Sequence, residues 1–522
     1  MMERTLGELL RLAAQREPHA TAFVHGERQL SYAEWDELAD RLAARLAAAG
    51  IRRGAVLALL LPSVPLYLIA YLAAARLGVA TTGINTRYRS GEIGHILRHS
   101  GAAMLIAVTR SHDADFSAAL VELRPTLPEL GEVIWLAPDD LERGTAEIVT
   151  DLSAGLPPAP PVAVEVTDPA AIVFTSGTTG TPKGACYSHA ALSALASIET
   201  QRYPGGQPPY RHHLAAGLSF AHVGTMARIA FQLQHCLTSI LHSSFDPAAV
   251  LATVERERLV HIGGIPTQLL MLLDHPDFAR RDLSSLRSVL IGGAPAPAEL
   301  IRRLLSQLEV SVSVRYSSTE VGIATASLPG DSVERLTTTV GKATPGVELH
   351  IVDGANHPMT AGELGEVVVR SAATMSGYWR APELTVKAID GEGWVHTGDL
   401  GFLDSENYLH LQGRQSDMYI RAGYNVVPEE VEALLARHPK VAQVAVVGAA
   451  DAIFGEIGVA FIVARDPKDP PSLAELRAWV GERLASFKRP DELELIERLP
   501  LTPMFKVDKR ALRARLSSSS QR

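Results

Sequence analysis

Hydrophobic and polar positions along the chain change period in a regular way. Ser31-Tyr32-Ala33-Glu34 has the form of a capping box, and Leu38, Leu42 and Leu46 then recur at every fourth position among Glu37, Asp40, Arg41 and Arg45. That pattern predicts an amphipathic helix. The continuous apolar run 55–61 predicts a strand covered on both faces. Residues 66–76 predict another helix, and 79–84 and 104–108 further strands. Strands alternating with helices argue for a parallel, layered α/β sheet. A Pro- and Ala-rich connector over 151–161 leads to the apolar run 172–174. Ser188 then caps a helix through Ala191, Leu192, Leu195 and Ile198, with His189 read as a solvated or capping residue. Strands follow at 286–291, 349–352 and 367–370. Pro428-Glu429-Glu430 opens a helix with proline and acids in its first turn. Strands at 441–447 and 459–463 and a helix at 473–484 complete a stretch of roughly a hundred residues, enough for a small α+β domain.

Composition narrows the classes. At 522 residues the chain exceeds one ordinary core, so at least two domains are expected. Net charge is −9 without a basic run, which argues against nucleic acid and leaves any anionic substrate to local groups. Cys186 and Cys236 lack ligand spacing and are read as buried thiols. The apolar stretch 64–75 is too short for a membrane span, and the N-terminus lacks a signal-peptide pattern. A cytoplasmic enzyme is expected.

The chemistry centres on Thr175-Ser176-Gly177-Thr178-Thr179-Gly180-Thr181-Pro182-Lys183-Gly184. Glycines let backbone N–H groups approach a ligand closely; hydroxyls add donors and Lys183 a charge, which together suit a polyphosphate. Gly184 after the lysine rules out a Walker A loop. Further on, Gly292-Gly293-Ala294-Pro295 ends a strand where a flat ligand can approach the backbone. Tyr316-Ser317-Ser318-Thr319-Glu320 offers a ring for stacking, hydroxyls, and a carboxylate that can sit beside a triphosphate only through a metal ion. Asp399, in a glycine-bounded loop, suits a ribose diol.

The loop resembles the phosphate-binding loop of the adenylate-forming superfamily, and the later motifs follow in that family's order over nearly the whole chain. The resemblance implies an acyl-CoA synthetase-like α/β fold: an N-terminal domain over 1–413 and a mobile α+β C-terminal domain over 414–522, hinged near Ser416. It places ATP against Thr175, Ser176, Gly177, Thr178, Thr179, Gly180, Lys183, Gly293, Ala294, Pro295, Tyr316, Ser317, Ser318, Thr319, Asp399 and Arg414. It places Mg2+ at Glu320 and the pantetheine arm of CoA at Gly423. Lys506, Glu320, Thr175 and His222 form the implied catalytic set. His222, Val223, Gly224, Gly293 and Ile323 outline an acyl pocket that is mostly apolar, with no evident cationic residue for a second carboxylate. Departures from the family pattern fall at Ser317, Ser416, Ile420 and Phe505.

The implied reaction joins a monocarboxylic acid to AMP with release of pyrophosphate, then passes the acyl group to CoA. A separate carrier protein is the alternative acceptor, and a nucleotide-binding relative with impaired catalysis is a third reading. A homodimer is allowed. Lys509, three residues beyond Lys506, is expected to be inert.

Overall fold

The computed structural model describes residues 4–111, 114–175, 182–216, 219–502 and 506–519. The chain falls into two compact units. One comprises Met1–Leu349 and Val369–Val395, the other His350–Val368 and His396–Arg522. The 413/414 boundary expected from the sequence runs inside the second unit.

The first unit is built on a seven-stranded sheet. In spatial order its strands are Gly377–Tyr378, Gly184–Ser188, Pro169–Phe174, Ala80–Gly83, Val56–Leu60, Met104–Val108 and Glu132–Leu136. The last five pair parallel, while Gly184–Ser188 runs antiparallel to both of its neighbours. Every residue of Val56–Leu60 and Met104–Val108 is buried, as the continuous apolar runs predict. The apolar stretch 64–75 forms the helix Pro65–Arg76, whose residues Pro65 to Ala75 are all buried. Its all-round hydrophobicity is that of a core helix. Among the described residues no helix is long and apolar enough to cross a membrane.

A second, five-stranded sheet runs in the order His261–Gly264, Ser288–Ile291, Ser311–Ser318, Gly322–Ala326, Lys342–Ala343. The predicted caps are present: Ser31 and Glu34 close a capping box on Tyr32–Ala48, and Ser188 caps His189–Gln201. His189 differs from expectation. It is fully buried, its Nδ1 accepts the Leu6 N–H at 3.2 Å, and burial draws its pKa down to about 4. It pins the N-terminal helix Leu6–Arg16 as a neutral imidazole. Both thiols are buried and free.

The second unit contains the antiparallel pair Val395–Leu403 and Leu409–Arg414, whose first strand carries the chain in from the first unit. Its larger sheet follows the order Tyr424–Val426, Tyr419–Arg421, Gly455–Ala464, Val441–Asp451, with Glu492–Leu495 parallel to Gly455–Ala464. Side chains alternate across it. Val446, Ala460 and Ile462 pack with Val431, Leu435, Leu476 and Val480, while Val447, Val459 and Phe461 pack with Leu499 and Leu512. The sheet is therefore covered on both faces by helices.

Lys509 proves structural. Its ammonium lies 2.7 Å from Glu429 and 2.9 Å from Glu432, with 15% of the side chain exposed. Burial pulls the lysine pKa down, but the two carboxylates outweigh it and the net shift is upward. Removing one member of such a buried group leaves uncompensated charge. Lys509→Ala should therefore cost about 3 kcal/mol in a chemical denaturation experiment. An unchanged midpoint would mean the ammonium is solvated.

Candidate active site

Pairing of Pro169–Phe174 with Gly184–Ser188 brings the ends of the glycine-rich loop together, and the Thr175 N–H donates to the Lys183 carbonyl at 2.9 Å. Ser176, Gly177, Thr178, Thr179 and Gly180 lie outside the described residues. The frame around the loop is built from aromatics. His95 donates from Nε2 to the Pro182 carbonyl at 2.8 Å and stacks on His99 at 5.7 Å, and Phe174 meets both imidazoles edge-on. On the far side, Trp379 N–H donates to the Gly184 carbonyl at 2.7 Å, and Tyr378 stands opposite Ala185 in the sheet.

Tyr378 is the residue that joins the expected groups. Lys183 Nζ lies 5.3 Å from the centroid of its ring, and its hydroxyl donates to Glu320 Oε1 at 3.1 Å. One phenol thus positions a cation through its π face and an anion through its O–H. Sequence reasoning missed it, although the aromatic pair in Gly377-Tyr378-Trp379-Arg380 was a usable signal.

Glu320 is held from below. Tyr316, Ser317 and Ser318 end the strand Ser311–Ser318, and the N–H groups of Glu320 and Val321 donate to Ser318 Oγ at 3.2 and 3.3 Å. The buried Tyr187 donates to the Thr319 carbonyl at 2.8 Å. Gly322 has φ +68°, and a Cβ there would come 2.5 Å from Leu195 Cδ2, so the turn after Glu320 needs glycine. Ser317 has no positive φ and pairs with Ile323 at a bulge, so serine fits where the family pattern has glycine. Among the described residues no three His, Cys, Asp or Glu side chains gather to hold a metal. A divalent ion here would rely on Glu320 and phosphate oxygens, and a carboxylate with one oxygen on Tyr378 keeps lone pairs for it.

Gly293 has φ +79°, and the Gly292 N–H reaches the Gly264 carbonyl at 3.3 Å, which turns the segment through Ala294 and Pro295 away from its strand. His222 is the N-cap of Val223–His235, its Nδ1 accepting the Gly224 N–H at 3.2 Å. Val223 is buried, Gly224 exposed and Ile323 half-buried.

In the second unit Asp399 and Arg414 face each other across a strand pair, and Arg414 Nε meets Asp399 Oδ1 at 2.8 Å. Asp399 N–H donates to Thr397 Oγ1 at 3.1 Å, and Glu366 takes the Gly398 N–H at 2.9 Å and His396 Nδ1 at 3.0 Å. Glu366 lies just before the strand expected over 367–370. Ala422 and Gly423, with φ +50° and +83°, form a two-residue hairpin loop that requires positive φ at both positions. Lys506 sits exposed on a tight turn in which the Thr502 N–H donates to its carbonyl at 2.7 Å and Leu501 bridges to Val507. Ser416 is exposed beside Asp417, which pairs with Arg513 at 2.9 Å. Phe505 lies outside the described residues.

Comparison with known proteins matches residues 10–379 to the model of the AMP-binding enzyme and 430–506 to that of the AMP-binding enzyme C-terminal domain. A feruloyl-CoA synthase from Amycolatopsis sp is 35% identical over 99% of this chain and 100% of its own length. A 3-[(3aS,4S,7aS)-7a-methyl-1,5-dioxo-octahydro-1H-inden-4-yl]propanoyl:CoA ligase from Mycobacterium tuberculosis is 36% identical over 98% of both chains. Among solved structures, ATP-bound MatB from Rhodopseudomonas palustris superposes with a TM-score of 0.87 at 28% identity, covering 98% of this chain and 99% of that one.

Tyr378→Phe removes the hydrogen bond to Glu320 and keeps the ring under Lys183. A bond to a charged group at a half-buried site is worth about 1 kcal/mol, so ATP affinity measured with Mg2+ present should fall about fivefold. Thermal stability should hardly move. Unaltered affinity would show that Tyr378 has no part in positioning Glu320.

Proposed function

The chain belongs to the AMP-binding enzyme family, and from that premise we propose how its own residues carry the reaction. It is an AMP-forming acid–CoA ligase: ATP activates a carboxylic acid as the acyl-adenylate, and CoA takes the acyl group as a thioester. In the first half an acid oxygen attacks the α-phosphorus and the bond to pyrophosphate breaks. In the second the CoA sulfur, giving up its proton, attacks the acyl carbon and the bond to AMP breaks. Two anions must meet in the first half, so the barrier is electrostatic and positional.

The observation that carries the assignment is Tyr378 between Lys183 and Glu320 beside a closed loop. Lys183, Thr175 and the loop between them receive the β- and γ-phosphates. Glu320 would hold Mg2+ together with phosphate oxygens, and the ion would supply charge neutralisation when bound. Tyr316 and the Gly293-Ala294-Pro295 backbone receive the adenine ring. Asp399 accepts the ribose hydroxyls, kept in place by Arg414. His222, Val223, Gly224 and Ile323 border the acyl pocket. Lys506 stabilises the charge at the α-phosphate during adenylation, and the body from 414 onward then turns about Ser416 to bring Gly423 to the pantetheine arm. We place the enzyme in the cytoplasm, with a carboxylic acid of moderate size as substrate; the feruloyl and indenyl-propanoyl ligases among its relatives support that size.

A carrier protein's phosphopantetheine is the second reading for the acceptor. Exposed Ile420, Tyr424 and Ile453 surround the Ala422–Gly423 turn and favour it, because such an apolar rim suits a protein surface. The impaired-relative reading has no observation in its favour.

Product analysis tests the whole scheme: AMP, pyrophosphate and acyl-CoA are expected, and ADP with phosphate would contradict it. Glu320→Gln should raise the Mg2+ needed for adenylation, and Asp399→Ala should mainly raise the KM for ATP. Near-wild-type kinetics in both would refute the assignments. Lys506→Ala should slow adenylation on the order of 10²–10³-fold, the loss expected for one positioned charge. Thioester formation from a synthetic acyl-adenylate should be nearly spared. Equal loss in both half-reactions would refute the turning of the small body.

A further inference from the structure

The strands His261–Gly264 and Ser311–Ser318 contribute His261 and Arg315 to a group of ionisable side chains with no role so far. Glu199 accepts from Arg315 Nη2 at 2.8 Å and from the Tyr203 hydroxyl at 2.9 Å. Tyr203 meets the Tyr210 hydroxyl at 3.2 Å, and the Tyr210 ring stacks on His261 at 5.0 Å. His261 Nδ1 meets Ser288 Oγ at 2.8 Å, and His213 Nε2 meets Ser239 Oγ at 2.9 Å. Both imidazoles are held neutral: burial first, and the nearby Arg228 charge second, draw each pKa down to about 3.

Arg228 is the odd member. It lies on the helix capped by His222, and its Nη2 would stand only 3.1 Å from a Cβ on Gly263, so the bare glycine makes its room. Gly263 pairs with Leu290, two residues before Gly292. The guanidinium is half-buried and forms no hydrogen bond or ion pair with any described residue. The nearby carboxylate, Glu199, is already engaged by Arg315. Among the described residues of this group, Arg202, Arg228 and Arg315 thus outnumber the one acid by two charges. A planar fork of five donors in that setting calls for an oxygen acceptor from outside.

We propose that Arg228 determines specificity by receiving an oxygen acceptor, a carboxylate or a carbonyl, at the far end of the acid substrate. This rests on the ligase reading and on His222 and Gly293 bordering the acyl pocket. Arg228 follows His222 by six residues, which on a helix is about 9 Å of axial rise. A medium-chain acid with an oxygen at its far end is the class of substrate that would span such a separation. The mostly apolar pocket expected from the sequence ends in a cation.

The test compares octanoate, 7-oxooctanoate and octanedioate by kcat/KM for pyrophosphate release in the wild type, Arg228→Met and Arg228→Lys. The wild type should prefer an oxygenated acid over octanoate on the order of 10²-fold, and the faster of the two identifies a charged or a neutral acceptor. Arg228→Met should abolish the preference with the KM for ATP unchanged, and Arg228→Lys should keep part of it. Equal use of the three acids by the wild type, or a uniform loss in Arg228→Met, would overturn the proposal while leaving the ligase reading intact. No AMP or pyrophosphate from any acid would overturn both.

Discussion

The antiparallel pairing of Pro169–Phe174 with Gly184–Ser188 governs the nucleotide end of the first unit. It reverses the chain at the edge of a parallel sheet, so the ends of the glycine-rich loop are fixed by backbone hydrogen bonds. It also offers a free edge to Gly377–Tyr378, which delivers the phenol that spans Lys183 and Glu320. Without that pairing the three groups, separated widely in sequence, would have no common support. Rigid strands ending in polar turns are what a site needs when its task is to place charges accurately.

Charge is handled differently in different parts of the molecule. Asp399 with Arg414, and Lys509 with Glu429 and Glu432, are ion pairs built into the second unit. Glu199 with Arg315 is a buried pair in the first. Buried imidazoles such as His189, His213 and His261 are kept neutral and act as hydrogen-bonding shapes. Lys506 stands on an exposed turn, and Arg228 is half-buried with room made for it by glycine.

Much of the fold was legible because burial on both faces leaves continuous apolar runs, as at Val56–Leu60 and Met104–Val108, and because Ser31 and Ser188 announce helix starts locally. The order of the site motifs was legible through their resemblance to those of the adenylate-forming superfamily. What escaped is long-range. Tyr378 reaches Glu320 across 58 positions, and nothing in its neighbourhood encodes that meeting. Lys509 was expected to be inert because its carboxylate partners lie some 80 residues earlier. His189 looked like a surface cap because its partner is the backbone of Leu6. Arg228 escaped because its significance lies in the side chain that Gly263 lacks.

The fastening of Thr175 to Lys183 has a consequence for how such a loop can vary. The entropy of closing a loop grows only with the logarithm of its length, about 0.6 kcal/mol for each doubling. Folding is therefore nearly indifferent to one residue more or less between those two anchors. Every amide before an insertion would nonetheless change its separation from Lys183. The number of residues in the loop is a quantity that stability cannot police, so only selection on turnover can keep it constant.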